Sequence, residues 1–521
     1  CYTTTNITYL NKGGMFTHIH SAAVLGLDCI PITAEVDIAG SWPGYQIVGL
    51  ADASIQEAKE RIRTAWKNTG LTFPSNARIV INLAPADVRK VGSAYDLPMA
   101  VGMFVASEQI DHELDDAIIV GELALDGNVR HVNGVLPMAI FARDNGYKKL
   151  YVPEVNAKEA SIIHEVSVFP VQSFKEMIDD ITGKKKLQKI TPVPVTEWFE
   201  EQQNDLDMAY VKGQGFVKRA LEISASGSHN ILLSGPPGSG KTLLARTLPS
   251  ILPRMSINEA IDVTKIYSVA GMLPPGKPIV SERPFRAPHH SASGVALVGG
   301  GKFPRPGEIS LAHRGVLFLD EFPEFPRAVL ENLRQPLEDG IVSISRAQGT
   351  ITFPATFTLV ASQNPCPCGY ASDPDKPCHC SPMHIARYQK KISGPLLDRI
   401  DLHTEVPRIN FDKLSQNELA ESSASIRERV EAAREKQERR FKDTIYATNS
   451  EMKNKHIKEF CKLDDASIDL LRQAVTHMHL SARSYHRIIK LARTIADLAA
   501  SENIHAPHVA EALQYRTKVG E

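Results

Sequence analysis

The stretch that decides the fold of this chain reads Gly235-Pro236-Pro237-Gly238-Ser239-Gly240-Lys241-Thr242. It fits the phosphate-binding pattern G-x-x-x-x-G-K-[ST], in which glycines let backbone amides turn toward a phosphate. The apolar residues 231–233 before it predict a buried strand, and residues 243–248 after it predict the first turns of a helix. We therefore predict that this loop binds ATP, with Lys241 on the β- and γ-phosphates and Thr242 on Mg²⁺.

A second apolar run, residues 315–321, ends in two carboxylates. It predicts a parallel strand that delivers Asp320 and Glu321 to the edge of the sheet where α/β folds bind ligands. We expect Asp320 to bind Mg²⁺, directly or through water, and Glu321 to polarise the attacking water. The alternative is a strand followed by an acidic helix cap. A third run, residues 357–362, leads to Asn364, whose amide is suited to orient that water against the γ-phosphate.

These motifs are followed by Gly394-Pro395-Leu396-Leu397-Asp398-Arg399-Ile400-Asp401, and in this order they resemble the AAA+ ATPases. Within that class the chain resembles the magnesium-chelatase-like branch, and most closely the YifB/ComM family, in stretches such as residues 283–290, 306–313, 364–369 and 481–487. The resemblance implies an α/β fold with a P-loop AAA+ core built on a parallel sheet, an N-terminal α/β Lon-like domain and a C-terminal helical lid.

The same resemblance implies roles for two arginines. Arg399 lies in the segment that is similar to the arginine-finger motif, so it would approach the nucleotide of the next subunit. Arg483 is similar to the second sensor of these ATPases. A finger supplied in trans requires head-to-tail contacts that close into a ring, and a homo-hexamer is the family expectation.

Composition and the resemblance divide the chain into five segments. Residues 1–14 are Thr/Asn-rich and match nothing in the family, so we interpret them as a non-native or disordered extension and Met15 as the natural start. Residues 15–181 form the predicted Lon-protease-like domain, and residues 182–206 form a polar linker. Residues 207–406 are the predicted ATPase core, and residues 407–521 the helical lid.

Two blocks of the N-terminal domain, residues 82–98 and 121–130, resemble the Lon-protease-like domain of the ribosomal S5 superfamily. Catalytic members of that superfamily use a Ser–Lys pair. The serine position falls at Ala94 and the lysine position at Leu136, and neither can act as nucleophile or base. Ser93 lies one place away. We expect a non-proteolytic scaffold or a DNA-facing accessory.

Two insertions distinguish the predicted core. Residues 272–305 are rich in Pro, Gly and Arg and include His289-His290. Adjacent side chains in an extended loop point to opposite sides, so we interpret this insertion as a remodelling loop rather than a metal site. Residues 340–353 contain two β-prone runs around a turn and predict a hairpin. Arg346 at its tip would meet DNA phosphates, the alternative being a plain hairpin edge.

Four of the seven cysteines fall within fifteen residues: Cys366, Cys368, Cys378 and Cys380. In a cytosolic chain such a cluster favours Zn²⁺ over disulfides, although the C-x-C spacing is tighter than usual. His379 is an alternative ligand, and a loop of reduced thiols is the alternative to a metal site.

Overall charge identifies no partner, because 59 Lys and Arg against 60 Asp and Glu give a net charge of −1. Any basic surface must therefore be local. No apolar run reaches the length of a membrane span, and no secretory signal is visible. We expect a cytoplasmic protein without a membrane partner.

Three functions compete at this point. The first is an ATP-dependent DNA motor, a helicase or branch-migration enzyme on single-stranded or branched DNA, as ComM-type proteins look to be. The alternative is a chelatase-like motor that remodels a protein partner. The Lon-like domain counts against this alternative, because we do not expect such a domain in chelatase motors. The third is an ATP-dependent protease, which Ala94 and Leu136 disfavour.

Overall fold

The computed structural model describes residues 15–40, 42–108, 114–192, 194–199, 206–274, 276–346, 349–409, 419–444, 446–478 and 480–516. The extension predicted for residues 1–14 lies outside these ranges. Contacts within the described residues separate two compact units. The first contains residues up to 199 together with Thr264–Val280, and the second contains residues 206–263 and 281–516. The sequence placed Thr264–Val280 inside the ATPase core, so its packing in the first unit was not anticipated.

A four-stranded sheet forms the base of the first unit, in the order β1-β2-β4-β3. Its strands are β1 (Met15–Leu25), β2 (Asp28–Ala39), β3 (Gly44–Val48) and β4 (Arg78–Ala84). Only β3 runs parallel to its neighbour; the other pairs are antiparallel. Burial alternates along β2 from Ile32 to Ile38, because successive side chains of a strand point to opposite faces and only one face is covered.

The other strands of the first unit form a parallel sheet, β5-β8-β9, and a small hairpin, β6-β7. These strands are β5 (Ala117–Ile119), β6 (Glu122–Leu123), β7 (Val129–Arg130), β8 (Lys149–Pro153) and β9 (Ser167–Val171). The helices are α1 (Ala53–Asn68), α2 (Asp96–Glu108), α3 (Val135–Asp144), α4 (Glu154–Ala160) and α5 (Phe174–Ile181).

The second unit is built on a parallel sheet in the order β11-β14-β17-β10-β18. Its strands are β10 (Ile231–Ser234), β11 (Phe285–Arg286), β14 (Val316–Leu319), β17 (Thr358–Gln363) and β18 (Leu402–Glu405). All four residues of β14 are buried, as expected for a strand covered on both faces. The three strands predicted around the nucleotide motifs are thus confirmed as neighbours.

Short helices and two hairpins surround this sheet. The helices are α6 (Gly215–Gly227), α7 (Lys241–Thr247), α9 (Gly294–Val298), α10 (Glu308–Leu311), α11 (Arg327–Glu331), α12 (Arg334–Asp339), α13 (Pro382–Gln389) and α14 (Gly394–Leu397). The helix α8 (Ile257–Ala270) begins in the second unit, and its residues from Thr264 onward belong to the first. The hairpins pair β12 (Gly299–Gly300) with β13 (Arg305–Pro306), and β15 (Ile341–Arg346) with β16 (Gly349–Pro354). The predicted hairpin of residues 340–353 is thereby confirmed.

The lid is helical in its described residues, as predicted. Its helices are α15 (Ser423–Phe441), α16 (Asn454–Phe460), α17 (Asp465–His477), α18 (Ala482–Leu498) and α19 (Ala506–Gln514). Apolar side chains of α18 such as Ile488 and Ile495 join the same buried cluster as Ile231 and Leu233 of β10. The lid and the sheet therefore share one hydrophobic core.

A buried carboxylate joins the sheet to the lid. Asp401, just before β18, lies 2.6 Å from Nη1 of Arg487 on α18 and 3.4 Å from Nδ1 of His229. Burial alone would raise the pKa of Asp401, but Arg487 and His229 hold it well below its ordinary value. The carboxylate is therefore charged in the folded protein and satisfied by partners from two elements.

Asp401→Asn should destabilise the second unit by up to about 3–5 kcal/mol at neutral pH, because it leaves the partly buried Arg487 without a countercharge. The wild-type advantage is complete above the pKa of the unfolded carboxyl and is lost as the pH falls below it, since the folded pKa is lowered. Urea unfolding at pH 7 and at about pH 2, well below the ordinary pKa of an aspartate, measures both effects. The control is Asp469→Asn, which removes an exposed pair with Arg472. Equal stability of the two variants at pH 7 would contradict the assignment.

Candidate functional site

The loop between β10 and α7 requires glycine at three positions. Gly238 and Gly240 have φ angles of +76° and +92°, a conformation that other residues rarely adopt. A β-carbon at Gly235 would lie 2.3 Å from the carbonyl oxygen of Val406. The backbone of the loop is thus curved in the way that the phosphate-binding pattern demands.

Lys241 folds back onto this loop. Its Nζ donates to the carbonyl oxygens of Gly235 at 2.7 Å and Pro236 at 2.9 Å, and lies 3.3 Å from Oδ1 of Asn364. Burial lowers the pKa of Lys241, an effect that the nearby Asp320 and Glu321 oppose. A cation whose hydrogen-bond acceptors are all neutral oxygens is suited to receive an anionic ligand.

The hydroxyl and carboxylate predicted to hold Mg²⁺ are in contact. Thr242 Oγ1 donates to Asp320 Oδ2 at 2.9 Å, and Ser362 Oγ donates to the other oxygen of Asp320. Neighbouring ligands of an octahedral Mg²⁺ are separated by roughly 3 Å, given Mg–O distances of about 2.1 Å. The two oxygens therefore fit adjacent positions around one such ion.

Glu321 stands at the end of β14 with a half-exposed side chain and a left-handed φ of +52°. Its Oε2 lies 3.3 Å from Nδ1 of His290, a residue of the first insertion that the sequence did not connect with the nucleotide motifs. The expectation that His289 and His290 point to opposite sides was wrong: their ring centroids are 4.1 Å apart. The contact follows from the sheet: His290 comes shortly after β11, and β11 pairs with β14, which carries Glu321 at its end.

The four clustered cysteines converge, as predicted. Their sulfur atoms all lie within 4.8 Å of one another, and Cys366, Cys368 and Cys378 are separated by 3.3–3.7 Å. Tetrahedral Zn²⁺ with Zn–S distances of about 2.3 Å places its sulfurs roughly 3.8 Å apart. The donor set therefore fits such an ion, and His379 is not a member of it.

The cysteine loop packs against the phosphate loop. A β-carbon at Gly369 would lie 2.6 Å from Cδ of Pro237, and Gly369 has a φ of +86°. Asn364 and Cys366 follow β17 directly. The cysteine cluster is therefore continuous with the strand end that reaches Lys241.

The two predicted arginines meet one carboxylate. Nη2 of Arg399 is in close contact with Oε2 of Glu338, and Nη2 of Arg483 lies 3.4 Å from Oε1 of the same residue. The side chain of Arg399 is only 7% exposed. Glu338 lies near the end of α12, and no sequence motif marked it.

Arg346 is the last residue of β15 and pairs with Gly349. Residues 347–348, the predicted turn, lie outside the described residues. A β-carbon at Gly300 would lie 3.6 Å from Nη2 of Arg346, so the two insertions adjoin each other.

Comparison with known proteins decides the family. Models described as subunit ChlI of Mg-chelatase, magnesium chelatase subunit ChlI, and magnesium chelatase subunit ChlI C-terminal match residues 34–156, 207–414 and 420–516. Over 506 residues the chain is 44% identical to Competence protein ComM of Haemophilus influenzae, covering 96% of this chain and 97% of that protein. Over 500 residues it is 42% identical to the uncharacterized protein YifB of Escherichia coli, covering 96% of each.

The chain belongs to the YifB/ComM family.

Membership confirms the predicted fold class, an α/β AAA+ protein of the magnesium-chelatase type, and such an ATPase fits ATP and Mg²⁺. A model described as subunit ChlI of Mg-chelatase matches residues 34–156, so the N-terminal domain does not by itself count against a chelatase-like motor.

The N-terminal domain of this YifB/ComM protein has Ala94 and Leu136 where catalytic Lon-like domains have their Ser–Lys pair. Leu136 is fully buried, and Ser93 Oγ donates to Glu122 rather than to a lysine. A stretch of 124 residues is nonetheless 30% identical to Lon protease 2 of Bacillus subtilis, covering 23% of this chain and 22% of that protein. Among the helices of the described residues, none is both long and apolar enough to cross a bilayer.

Proposed function

We propose that this chain is the subunit of an ATP-driven ring that acts on DNA as a helicase or branch-migration enzyme, in recombination or DNA uptake. The convergence of Lys241, Thr242, Asp320 and Asn364 at one edge of the parallel sheet carries the motor part of this proposal. The DNA part is supported by the likeness to a protein named for competence and by the hairpin described above. The motor would work in the cytoplasm.

In the hydrolysis step, Lys241 binds the β- and γ-phosphates in place of the carbonyl oxygens it now contacts. Thr242 and Asp320 would hold Mg²⁺, which would neutralise charge on the phosphate oxygens when bound. Glu321 accepts hydrogen-bond donation from the attacking water, and Asn364 orients that water from the other side. His290, in contact with Glu321, helps to fix the direction of this carboxylate.

The ring is a homo-hexamer in this proposal; Arg399 acts on the nucleotide of the neighbouring subunit, and Arg483 serves as the second sensor. DNA phosphates are met by Arg346, which β15 joins through α12 to the core. The adjoining Gly300 places the first insertion beside the same surface. Because phosphate contacts carry no base information, DNA binding would be independent of sequence.

The four cysteines hold a structural Zn²⁺ in the same proposal. Four thiolates complete the tetrahedral coordination of Zn²⁺, and a fully coordinated ion stabilises the fold of the loop that binds it. Here the stapled loop packs on Pro237 and continues from Asn364, so the ion would stiffen one wall of the nucleotide site.

A second candidate is a chelatase-like ATPase that remodels a protein partner. The three family models described as parts of subunit ChlI favour it. DNA distinguishes the two candidates: single-stranded or four-way-junction DNA should raise ATP hydrolysis if the motor acts on DNA and should leave it unchanged if the partner is a protein.

Lys241→Ala should abolish ATP binding, because the loop loses the charge that meets the phosphates. Glu321→Gln should keep ATP bound but slow turnover by about 10²-fold or more, since an amide is a poor acceptor for the proton of the water. ATP binding and steady-state hydrolysis measure these effects. Glu324→Gln, the same chemical change on an exposed residue paired with Lys391, is the control. Hydrolysis by Glu321→Gln at the control rate would rule out Glu321 as the base.

Protein purified without tag or chelator should contain about one zinc per chain, because four thiolates complete the coordination of this ion. Elemental analysis measures the content. Cys366→Ser should lower it, whereas Cys29→Ser, outside the cluster, should not. A metal-free wild-type protein, or equal zinc in the two variants, would remove the ion from the proposal.

Arg346→Ala should weaken DNA binding by a similar factor on all sequences and make it less dependent on salt, since one phosphate contact is lost. Basal ATP hydrolysis should persist while DNA stimulation and unwinding fall. Arg472→Ala on α17 removes an exposed arginine elsewhere and serves as the control. If Arg346→Ala matches the control in affinity and unwinding, the DNA contact lies at another surface.

A further inference from the structure

Glu338 connects the two arginines described above with a third basic residue. Its Oε2 pairs with the guanidinium of Arg399 and its Oε1 with that of Arg483, so each carboxylate oxygen contacts one arginine. The backbone carbonyl of Glu338 lies 3.4 Å from Nζ of Lys453. Arg399 belongs to the segment after α14, Arg483 to α18 and Lys453 to the chain just before α16. One residue thus touches the core and the lid of the second unit.

Arg399 is held within its own subunit by these contacts. Besides the contact with Glu338, its Nη1 donates to the carbonyl oxygen of Pro395 at 2.6 Å. Its buried Nε has no hydrogen-bond partner among the described residues. An arginine that acts on the nucleotide of a neighbouring subunit must present its guanidinium at the surface, so Arg399 has to leave Glu338 before it can act.

The position of Glu338 ties this contact to the predicted DNA hairpin. Glu338 is followed by Asp339 and by Gly340, a left-handed residue that ends α12, and β15 starts at Ile341. The base of the hairpin is closed by a 2.7 Å hydrogen bond from Ala355 N to Gly340 O. Because β15 and β16 are paired along their whole described length, a displacement of the hairpin is transmitted to the end of α12.

The ion pairs of Glu338 form at neutral pH, and they can also be opened. Partial burial alone would raise the pKa of Glu338, but Arg399, Arg483 and Lys453 bring it below the ordinary value, so the carboxylate is charged at neutral pH. Its side chain is 46% exposed, and Arg483 is 57% exposed. The Glu338–Arg483 pair therefore contributes little to stability and opens easily. The side chain of Arg399 in the other pair is only 7% exposed, so opening that pair requires the end of α12 to carry Glu338 away from it.

We propose that Glu338 is a latch that holds Arg399 and Arg483 in a resting position and that movement of the hairpin on DNA releases them. This inference rests on the proposed function, in which Arg399 promotes hydrolysis across a subunit boundary. Glu338 is a positioning residue in this scheme, and DNA stimulation of ATP hydrolysis is its consequence.

The first test compares basal and DNA-stimulated hydrolysis in Glu338→Gln and Glu338→Ala. Loss of the latch removes the ion pairs with both Arg399 and Arg483, and should raise the basal rate roughly two- to fivefold by shifting a two-state equilibrium toward the released position. The rate with saturating single-stranded DNA should stay near that of the wild type, so the stimulation ratio falls. Glu331→Gln, which removes the neighbouring pair with Arg334, should change neither rate. A basal rate in both Glu338 variants that is unchanged or lower would overturn the latch.

The second test asks whether the effect passes through Arg399. In the double variant Glu338→Ala/Arg399→Ala the rise should vanish, because no finger remains to be released. A rise that persists in the Arg399→Ala background would also overturn the proposal. Melting temperatures and ring formation are measured alongside, and Glu338→Gln, which keeps the side-chain volume, covers the case in which Glu338→Ala folds poorly.

The single variant Arg399→Ala separates the latch from the function on which it rests. Finger residues contribute about 10³-fold or more to the rate, so Arg399→Ala should hydrolyse ATP far more slowly than the wild type. If it hydrolyses ATP at the wild-type rate, the assignment of Arg399 as the arginine finger is wrong, and the latch proposal, which depends on it, is wrong as well. If it is slow and the Glu338 variants behave like Glu331→Gln, the finger stands and the latch alone is wrong.

Discussion

The buried side-chain amide of Asn230 aligns the first residues of the parallel strands that carry the nucleotide site. Its Nδ2 donates to the carbonyl oxygen of Arg399 at 3.0 Å, and its Oδ1 accepts from Leu359 N at 2.8 Å. A buried amide must satisfy its hydrogen bonds, so β17 and the segment before β18 enter the sheet beside the first residue of β10. Parallel strands that start together and rise equally also end together. Ser234 accordingly faces both Gln363 and Glu405, and the phosphate loop and Asn364 leave the sheet at the same edge.

Contiguous motifs were predictable, because their geometry is local. The phosphate loop needs glycine at Gly238 and Gly240 because of their positive φ angles, which are local, and short apolar runs mark β10, β14 and β17. The close approach of the Val406 carbonyl to Gly235 is not local, but the motif already contains that glycine. The contacts of Glu338 with Arg399 and Arg483 span 61 and 145 residues of sequence. Side chains so far apart meet only through the packing of core and lid, and one chain read alone contains no trace of that pairing.

Other misses have equally definite causes. The periodicity rule that sent His289 and His290 to opposite sides holds for regular strands, whereas these residues lie after β11 ends. Thr264–Val280 begins inside α8, so nothing in its composition separates it from the ATPase core. The convergence of the cysteines was foreseen from their number, but the contact of Gly369 with Pro237 depends on the path of the intervening loop.

That contact also constrains how the family can diverge. Residue 369 has room for no β-carbon because the ring of Pro237 fills the space, and Pro237 lies in a loop whose pattern leaves its identity free. Gly369 also has a φ of +86°, so a lineage that replaces the proline by a smaller residue gains space but keeps a backbone conformation that other residues rarely adopt. Residue 369 should therefore stay glycine whatever stands at residue 237, while residue 237 is free to change as long as it leaves the glycine its place.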